Sequence, residues 1–250
     1  RALRGLLVVF AGRSTVLPSL PGGLRLIAVP ADDPPAVVRL DPRAIVLNEL
    51  DPDTPIVVAI DGDAVSQVST PRGASSARKL VAPGAHTVTV HVDSVGSQAL
   101  ATRLVTLQRA QLFIGLAYGA APVQSVGIVP FVDTTTRPIA GVVYDIANCL
   151  PSQSLSALAV VANGTTTTTD LADVAPGSLT AGDGSGVAAP AGTLAIGVGL
   201  ATLPSPLNFV LEATEGDRLL VAVVPATGGA ALRVIRNPGP AQSIQFLASE

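Results

Sequence analysis

The stretch Thr87-Val88-Thr89-Val90-His91-Val92 alternates valine with threonine or histidine, which is the period-2 pattern of a half-buried antiparallel strand. Residues 56–60 are all apolar and run into Asp61-Gly62, a dipeptide typical of a tight hairpin turn. Similar short runs, bounded by Pro, Gly, Asp and Asn, recur along the chain. No segment keeps helical i, i+3, i+4, i+7 spacing over three turns without a Gly or Pro. We therefore predict an all-β protein.

Internal repeats are visible in the apolar runs that begin at Leu6, Leu112 and Leu219, about 106 residues apart, which is the length of one sandwich domain. Each run is followed by a second short apolar stretch, so three strand pairs occupy equivalent places. These second stretches are residues 24–29, 126–131 and 231–235.

Two further pairs of segments repeat at nearly the same spacing. Residues 81–88 are similar to residues 188–195, and both contain a Pro and a Gly just before a strand. The strand Ala44-Ile45-Val46-Leu47-Asn48, continued to Asp61-Gly62, is matched with Gly141-Val142-Val143-Tyr144-Asp145, continued to Asn163-Gly164. The chain is thus predicted to contain two whole copies of one domain.

The first copy combines the acidic turn Asp51-Pro52-Asp53-Thr54-Pro55, a strand that ends at Asp61-Gly62, and a Pro-Gly-Ala-x-Thr-Val-x-Val pattern that begins at Pro83. In these features it resembles the secreted bacterial repeats called domain of unknown function 4397. The resemblance covers most of residues 39–236 and implies immunoglobulin-like or transthyretin-like β-sandwiches in tandem on an exported or envelope protein. In the second copy Cys149-Leu150-Pro151-Ser152-Gln153 replaces the acidic turn, and residues 165–186 are expected to lengthen a loop.

The copies do not begin where the chain begins. We assign residues 39–133 and 134–236 to two sandwich domains, residues 1–38 to the closing strand pair of an incomplete repeat, and residues 237–250 to the opening strand of a further one. An unpaired strand edge seeks a partner. Three explanations stay open: the N-terminal pair packs on its own first domain, the chain is an excerpt of a longer array, or a terminal strand of one subunit joins the sheet of the next. The candidate assembly residues are Leu6, Leu7, Val8, Val9, Ser243, Ile244, Gln245, Phe246 and Leu247.

Composition restricts the possible partners. The net charge is −3 and aromatic residues are 3% of the chain, so nucleic acid finds neither a basic surface nor a stacking platform. The longest apolar run, residues 112–123, is interrupted by glycine and is too short for a membrane span. Charged residues are only 13%, against about 25% in soluble domains, which favours a protein that buries its outer faces against neighbouring copies.

Methionine is absent, so we expect that Arg1 follows a removed signal peptide or propeptide and that the protein is extracellular or on the cell surface. Cys149 is the only cysteine of the sequence, which excludes a disulfide within the chain. We interpret it as a small buried apolar residue, with a disulfide to another chain as the alternative.

The sequence predicts no enzyme and no cofactor. His86 and His91 are five residues apart on one strand, so they face opposite sides of the sheet and share no metal or triad; we interpret both as solvated or edge histidines. Nucleophile-elbow, zinc-protease and P-loop motifs do not occur in the sequence.

Two surface sites are weaker candidates. The aspartates Asp51, Asp53, Asp61 and Asp63 have oxygen ligands suited to calcium, but turn formation explains them better, since the EF-hand pattern is missing. Asn163-Gly164-Thr165 is a glycosylation sequon, and an unmodified polar loop is its alternative. The adjoining hydroxyl-rich tract that is able to carry O-linked sugar contains Thr165, Thr166, Thr167, Thr168 and Thr169.

These observations together predict a non-catalytic structural protein that assembles with itself, head to tail, into a filament, sheath or surface layer. The alternative is a surface adhesion or glycan-binding module that presents its loops to a glycan or host surface, although the scarcity of Trp and Tyr disfavours carbohydrate.

Overall fold

The computed structural model describes residues 6–11, 25–30, 36–38, 41–50, 53–66, 68–92, 94–109, 111–119, 126–133, 141–171, 174–180, 186–200, 205–226, 229–237 and 245–248. Every regular element in these ranges is a β-strand, which confirms the all-β prediction. The remaining positions, among them Arg1, Asp51, Ser243 and Ile244, lie outside the described residues.

The strands fall into a small N-terminal sheet and two sandwiches in tandem. The N-terminal sheet contains β1 (Leu6–Ala11), β2 (Arg25–Pro30) and β3 (Ala36–Val38), paired antiparallel in that order. The first sandwich contains β4 (Arg43–Leu50), β5 (Val57–Ile60), β6 (Asp63–Ala64), β7 (Lys79–Leu80), β8 (Gly84–His91), β9 (Ala101–Leu107), β10 (Leu112–Gly119) and β11 (Gly127–Asp133). The second contains β12 (Val142–Asn148), β13 (Leu155–Ala162), β14 (Thr165–Asp170), β15 (Val187–Ala189), β16 (Gly192–Leu200), β17 (Leu207–Ala213), β18 (Arg218–Ala226) and β19 (Gly229–Asn237), to which β20 (Gln245–Ala248) is added.

Each sandwich closes its own apolar core between two sheets. In the first, the sheet β11-β10-β4-β7 covers the sheet β6-β5-β8-β9; in the second, β15-β12-β18-β19-β20 covers β14-β13-β16-β17. Alternation along β8 places Val88 and Val90 in the first core, as the sequence pattern predicts. The larger side chains of the second core include Tyr144 and Leu158.

Two pairings define the repeat. The first strand of each sandwich lies parallel to the seventh, β4 beside β10 and β12 beside β18. The predicted hairpin turns are also present, since Asp61 and Asn163 have φ of 55° and 50°, followed by Gly62 and Gly164 at 83° and 75°. Two consecutive residues with positive φ form the type I′ turn that suits the twist of a hairpin.

Several of the segments matched in the sequence take equivalent places in the two sandwiches, and two expectations about the second copy are wrong. Strands β10 and β18 are equivalent, as are the β8 and β16 strands that begin at Gly84 and Gly192. The match of Asn48 with Asp145 is wrong by three residues, because the hydrogen bonds described below pair Asn48 with Asn148. The expected long loop over residues 165–186 is also wrong in part, since β14 extends the hairpin with β13 over six residues.

The two sandwiches pack face to face, so their four sheets form four layers. Strands β4, β10 and β18 are almost continuously buried because alternate residues face a sandwich core and the layer between the sandwiches. A strand buried on both faces has an unbroken apolar sequence rather than an alternating one. The run from Leu219 to Val224 is such a sequence.

Candidate functional site: the layer between the sandwiches

An apolar layer joins the equivalent sheets of the two repeats. Repeat 1 contributes side chains from β4, β10 and β11, and repeat 2 contributes side chains from β12, from the residue that follows it, and from β18 and β19. The buried members are Ile45, Leu47, Leu112, Ile114, Leu116, Val129, Phe131, Ala147, Cys149, Leu220, Ala222, Val224 and Ile235.

The pairing registers show which residues of the two repeats correspond. The equivalent residues Asn48 and Asn148 pair with Ala117 and Val223, respectively. Leu112 lies five positions before Ala117 and Arg218 lies five positions before Val223, so Leu112 corresponds to Arg218. Ile45 corresponds to Asp145 in the same way. Repeat 2 therefore places two charged residues where repeat 1 has two apolar ones.

A buried charge cluster surrounds Arg218. Its Nη2 donates to Oδ2 of Asp145 at 3.2 Å, and its Nη1 lies 3.8 Å from Oδ1 of Asp133 in the other sandwich. The guanidinium carbon lies 5.4 Å from the centroid of the Phe131 ring, within cation–π range. The three charged side chains are at most 4% exposed, so each depends on the others for the solvation that it has lost.

A second ion pair crosses the same layer. Arg233 of β19 donates from Nε to Oε1 of Glu49 at 3.0 Å and from Nη2 to Oε2 at 3.4 Å. Burial raises the pKa of Glu49, and the Arg233 guanidinium opposes that rise. On the repeat 1 side, Arg72 also donates to the carbonyl oxygen of Pro225. Polar contacts thus fix the relative position of two faces that apolar packing holds together.

Cys149 occupies the position in repeat 2 that Glu49 occupies in repeat 1. The thiol is fully buried, which confirms the interpretation of a buried apolar residue. Burial, and secondly the nearby Glu49 carboxylate, raises the thiol pKa well above its usual range. The alternative of a disulfide to another chain is wrong, because both sandwiches enclose the sulfur.

One asparagine in each repeat, Asn48 or Asn148, binds three backbone groups with its side-chain amide. We call this arrangement an asparagine bracket, and sequence reasoning missed it. Asn48 donates from Nδ2 to the carbonyl oxygens of Thr54 (2.8 Å) and Thr70 (2.9 Å), and its Oδ1 accepts from the Leu50 N–H at 3.1 Å. Asn148 makes the same three bonds, to Gln153 and Val174 at 3.0 Å each and from Leu150 at 3.1 Å. The available signal was the shared Asn-x-Leu sequence that ends both opening strands.

A glycine turn beside each bracket reaches the opposite sandwich. The Gly73 N–H donates to the Asn48 carbonyl and the Gly177 N–H to the Asn148 carbonyl, both at 2.7 Å. A Cβ on Gly73 would lie 3.1 Å from Nη2 of Arg233, and a Cβ on Gly177 would overlap the Tyr118 hydroxyl. Both glycines have positive φ, 73° and 78°, so neither backbone position suits another residue.

The two histidines do not behave as solvated or edge residues, and that interpretation is wrong. Strand β8 is an inner strand between β5 and β9, and both rings are buried. His86 has Nδ1 2.7 Å from Oδ2 of Asp61 and Nε2 2.6 Å from the Ala82 carbonyl oxygen. His91 contacts the Ser97 carbonyl oxygen and the Thr89 hydroxyl, each at 2.9 Å, on the opposite face.

Both nitrogens of His86 face oxygen atoms that accept hydrogen bonds, which favours the doubly protonated ring. Burial lowers the pKa of His86, but the bonds to Asp61 and Ala82 outweigh it and the pKa is raised. The bond to His86 and the bond from the Thr87 N–H lower the pKa of Asp61.

The calcium candidates are not brought together. Asp53 accepts from the Arg72 N–H at 3.1 Å, Asp61 binds His86, and Asp63 lies 3.8 Å from the Lys79 ammonium. In the part of the chain that the structure describes, His, Cys, Asp and Glu form no group of three or more able to hold a metal ion. Asp51 lies outside that part.

The glycosylation candidates lie on one exposed hairpin. Asn163 is in the turn, and Thr165, Thr166, Thr167 and Thr168 of β14 are exposed while Thr169 is half-buried. Glycosylation here stays a prediction.

The terminal candidates lie on two separate sheets. Leu6, Leu7, Val8 and Val9 belong to β1, which pairs with β2. Gln245, Phe246 and Leu247 belong to β20, which pairs antiparallel with β19 of the same chain.

No protein-family model matches the chain, and no curated protein matches it. Among solved structures it is similar to a fimbrial assembly protein from Parabacteroides distasonis, with 10% sequence identity and a TM-score of 0.23 over 84% of this chain and 99% of that one. Within the described ranges, no helix has the length and apolar character needed to cross a membrane.

Proposed function

We propose that this chain is a non-catalytic structural protein of the cell surface or extracellular space, which joins further copies end to end through its terminal strands. The observation that carries the proposal is the hairpin β1–β2, which corresponds to β10–β11 and β18–β19. In the whole repeats the outer edge of this hairpin takes the opening strand, β4 or β12. Within the described ranges, β1 has no strand on that edge.

The edge of β1 is a site for strand addition. Its outward N–H and C=O groups gain main-chain hydrogen bonds when another strand lies beside them. The proposed occupant is β20 of a second copy, because β20 uses one edge on β19 and its other edge has no partner within the described residues. This contact runs head to tail, so its repetition produces a filament when the rotation does not close a ring.

The layer between the sandwiches supports a load-carrying role. Its apolar side chains and its two buried ion pairs hold the repeats as one body. A filament of such bodies is stiff within each pair of sandwiches, which suits a fibre or a surface layer.

Deletion of residues 242–250 is the first test. It removes β20 and leaves β19, which ends at Asn237, intact. We expect the full chain to form high-mass species in size-exclusion chromatography with light scattering, and filaments in negative-stain electron microscopy, whereas the truncated chain forms no filaments and no species larger than a dimer. Unchanged assembly of the truncated chain would contradict the proposal.

Site-directed cross-linking identifies the strands that meet. One chain carries Val8→Cys, and a second carries Cys in turn at Gln245, Phe246 or Leu247, so that each possible register is sampled. Mild oxidation of the mixed chains should give a disulfide-linked dimer for one of these positions, and a Thr102→Cys chain, altered on the exposed face of β9, should give none. Equal yields with the Thr102 control would overturn the pairing of β1 with β20.

A further inference from the structure

Strand β14 is a longer and more regular edge strand than its counterpart in repeat 1. The hairpin β5–β6 pairs through only two residues of β6, Asp63 and Ala64, and Asp63 lies beside the Lys79 ammonium. In repeat 2, all six residues of β14 pair with β13. Short, charged edges resist the addition of another strand, and long uncharged ones invite it.

The hairpin turn determines which backbone groups of β14 face outward. Ala162 and Thr165 flank the two-residue turn, and such a flanking pair exchanges both of its hydrogen bonds. The N–H and C=O groups of Thr165, Thr167 and Thr169 therefore point to β13. Those of Thr166, Thr168 and Asp170 point away from the sheet, along an edge that takes no strand in the described part of the chain.

Along the five threonines the side chains of β14 neither block nor charge this edge, and the one charge of the strand lies at its end, on Asp170. Five of the six residues are threonine, which is β-branched and favours strands, and the sequence of β14 contains no Pro or Lys. Thr165 to Thr168 are exposed, so the outer edge is accessible.

We propose that β14 pairs antiparallel with β14 of a second copy, about a two-fold axis at Thr168, so that two four-stranded sheets become one. In this register outward-facing residues lie opposite outward-facing residues, with Thr168 opposite the partner copy's equivalent of itself and Thr166 opposite the equivalent of Asp170. An isologous contact of this kind uses one edge twice and closes as a dimer.

The charge at the end of β14 selects the antiparallel arrangement. In this register the two Asp170 carboxylates are about 14 Å apart along the strands, beyond the screening length of physiological salt. A parallel pair would place them about 5 Å apart, where like charges repel. Cross-strand Thr–Thr contacts add hydrogen bonds in the antiparallel pair.

Analytical ultracentrifugation of the full chain over a concentration series tests the proposal. At concentrations below the onset of end-to-end assembly the native chain should show a reversible dimer, and Thr168→Lys should abolish it because two ammonium groups meet at the axis. Thr168→Val should keep the dimer because valine also favours strands. The matched control is Val210→Lys on β17, an exposed position of the same sheet with the same added charge, which should also keep the dimer.

A Thr168→Cys chain tests the register directly. Cα atoms of an antiparallel hydrogen-bonded pair are about 5.5 Å apart, within the range of a disulfide, and the buried Cys149 does not compete. Mild oxidation should yield a covalent dimer, also in the chain that lacks residues 242–250. A monomeric native chain, a dimer that survives Thr168→Lys, or a dimer lost with Val210→Lys instead would overturn the proposal.

Discussion

The two sandwiches share one topology, yet they present different chemistry to the layer between them. Repeat 1 contributes Ile45 and Leu112 at positions where repeat 2 has Asp145 and Arg218. A first repeat packed on a copy of itself would bury Glu49 and Asp133 without the arginines of repeat 2, Arg233 and Arg218. The contact is therefore specific to unlike repeats, because the arginines of one face meet the carboxylates of the other.

The largest effect is expected when Arg218 loses its charge. Arg218→Leu gives repeat 2 the residue that repeat 1 has and leaves the buried carboxylates of Asp133 and Asp145 without their arginine. The free energy of unfolding should fall by about 3–5 kcal/mol, as measured by urea denaturation. The control is Arg78→Leu at an exposed position, which should change stability by less than about 0.5 kcal/mol.

A triple variant sharpens the same test. Arg218→Leu, Asp145→Ile and Asp133→Asn each introduce the residue found at the equivalent place in the other repeat, namely Leu112, Ile45 and Asn237. Replacing a whole buried charge cluster removes the desolvation cost of its members, so most of the lost stability should return. A triple variant as unstable as Arg218→Leu would show that the arginine stabilises through packing.

The glycine turns give the next largest difference between the repeats. Gly73→Ala carries the cost of a left-handed conformation, about 1–2 kcal/mol. Gly177→Ala adds the overlap with the Tyr118 ring and should cost about 2–4 kcal/mol in urea denaturation. In a Tyr118→Val background, which has the valine of the equivalent Val224, the two glycine substitutions should cost the same. If Gly177→Ala costs as much stability in the Tyr118→Val background as in the native chain, the overlap with Tyr118 is not the cause of that cost.

The smallest effect is the pH dependence that arises from the Asp61–His86 pair of repeat 1. Repeat 2 has Asn163 and Leu194 where repeat 1 has Asp61 and His86. The pKa of His86 is raised above its ordinary 6.5, so its contribution is complete below about pH 6.5 and is lost as the pH rises through the folded-state value. The pKa of Asp61 is lowered below 3.8, so its contribution is present above that pH and is lost as the pH falls through the lower folded-state value.

The double variant Asp61→Asn/His86→Leu isolates this pair. The native chain should be more stable than the double variant on the plateau between about pH 4 and 6.5. This difference in the free energy of unfolding should be about 0.5 kcal/mol larger on the plateau than at pH 8, a small value because Asp61 is half exposed. Urea denaturation at several pH values measures the difference. Parallel pH profiles for the two chains would show that the pair does not titrate with folding.

Local features of the fold were predictable from the sequence because they depend on neighbouring residues. The alternation in β8 and the Asp61-Gly62 and Asn163-Gly164 turns each specify their own backbone. The threonines of β14 were taken for a loop, although β-branched residues after a type I′ turn favour the second strand of a hairpin.

The layer between the sandwiches was not predictable in the same way. Nothing local indicates that Asp145 and Arg218 meet Asp133, since 73 residues separate the first two and the third lies in another sandwich. The unbroken apolar sequence of β18 was the available sign of burial on both faces, but it does not identify what covers the second face. His86 was misplaced for a related reason, because its partner Asp61 lies 25 residues away, in the turn between β5 and β6.

Each repeat begins and ends at the same end of one sheet. The chain enters and leaves on strands that flank one shared neighbour, about 10 Å apart. The two rows that define these ends are Arg43, Leu112 and Asp133 in repeat 1, and Val143, Arg218 and Asn237 in repeat 2. Each sandwich therefore returns the chain about two strand widths from where it entered, so the connections on either side of a sandwich start from the same end of its sheet.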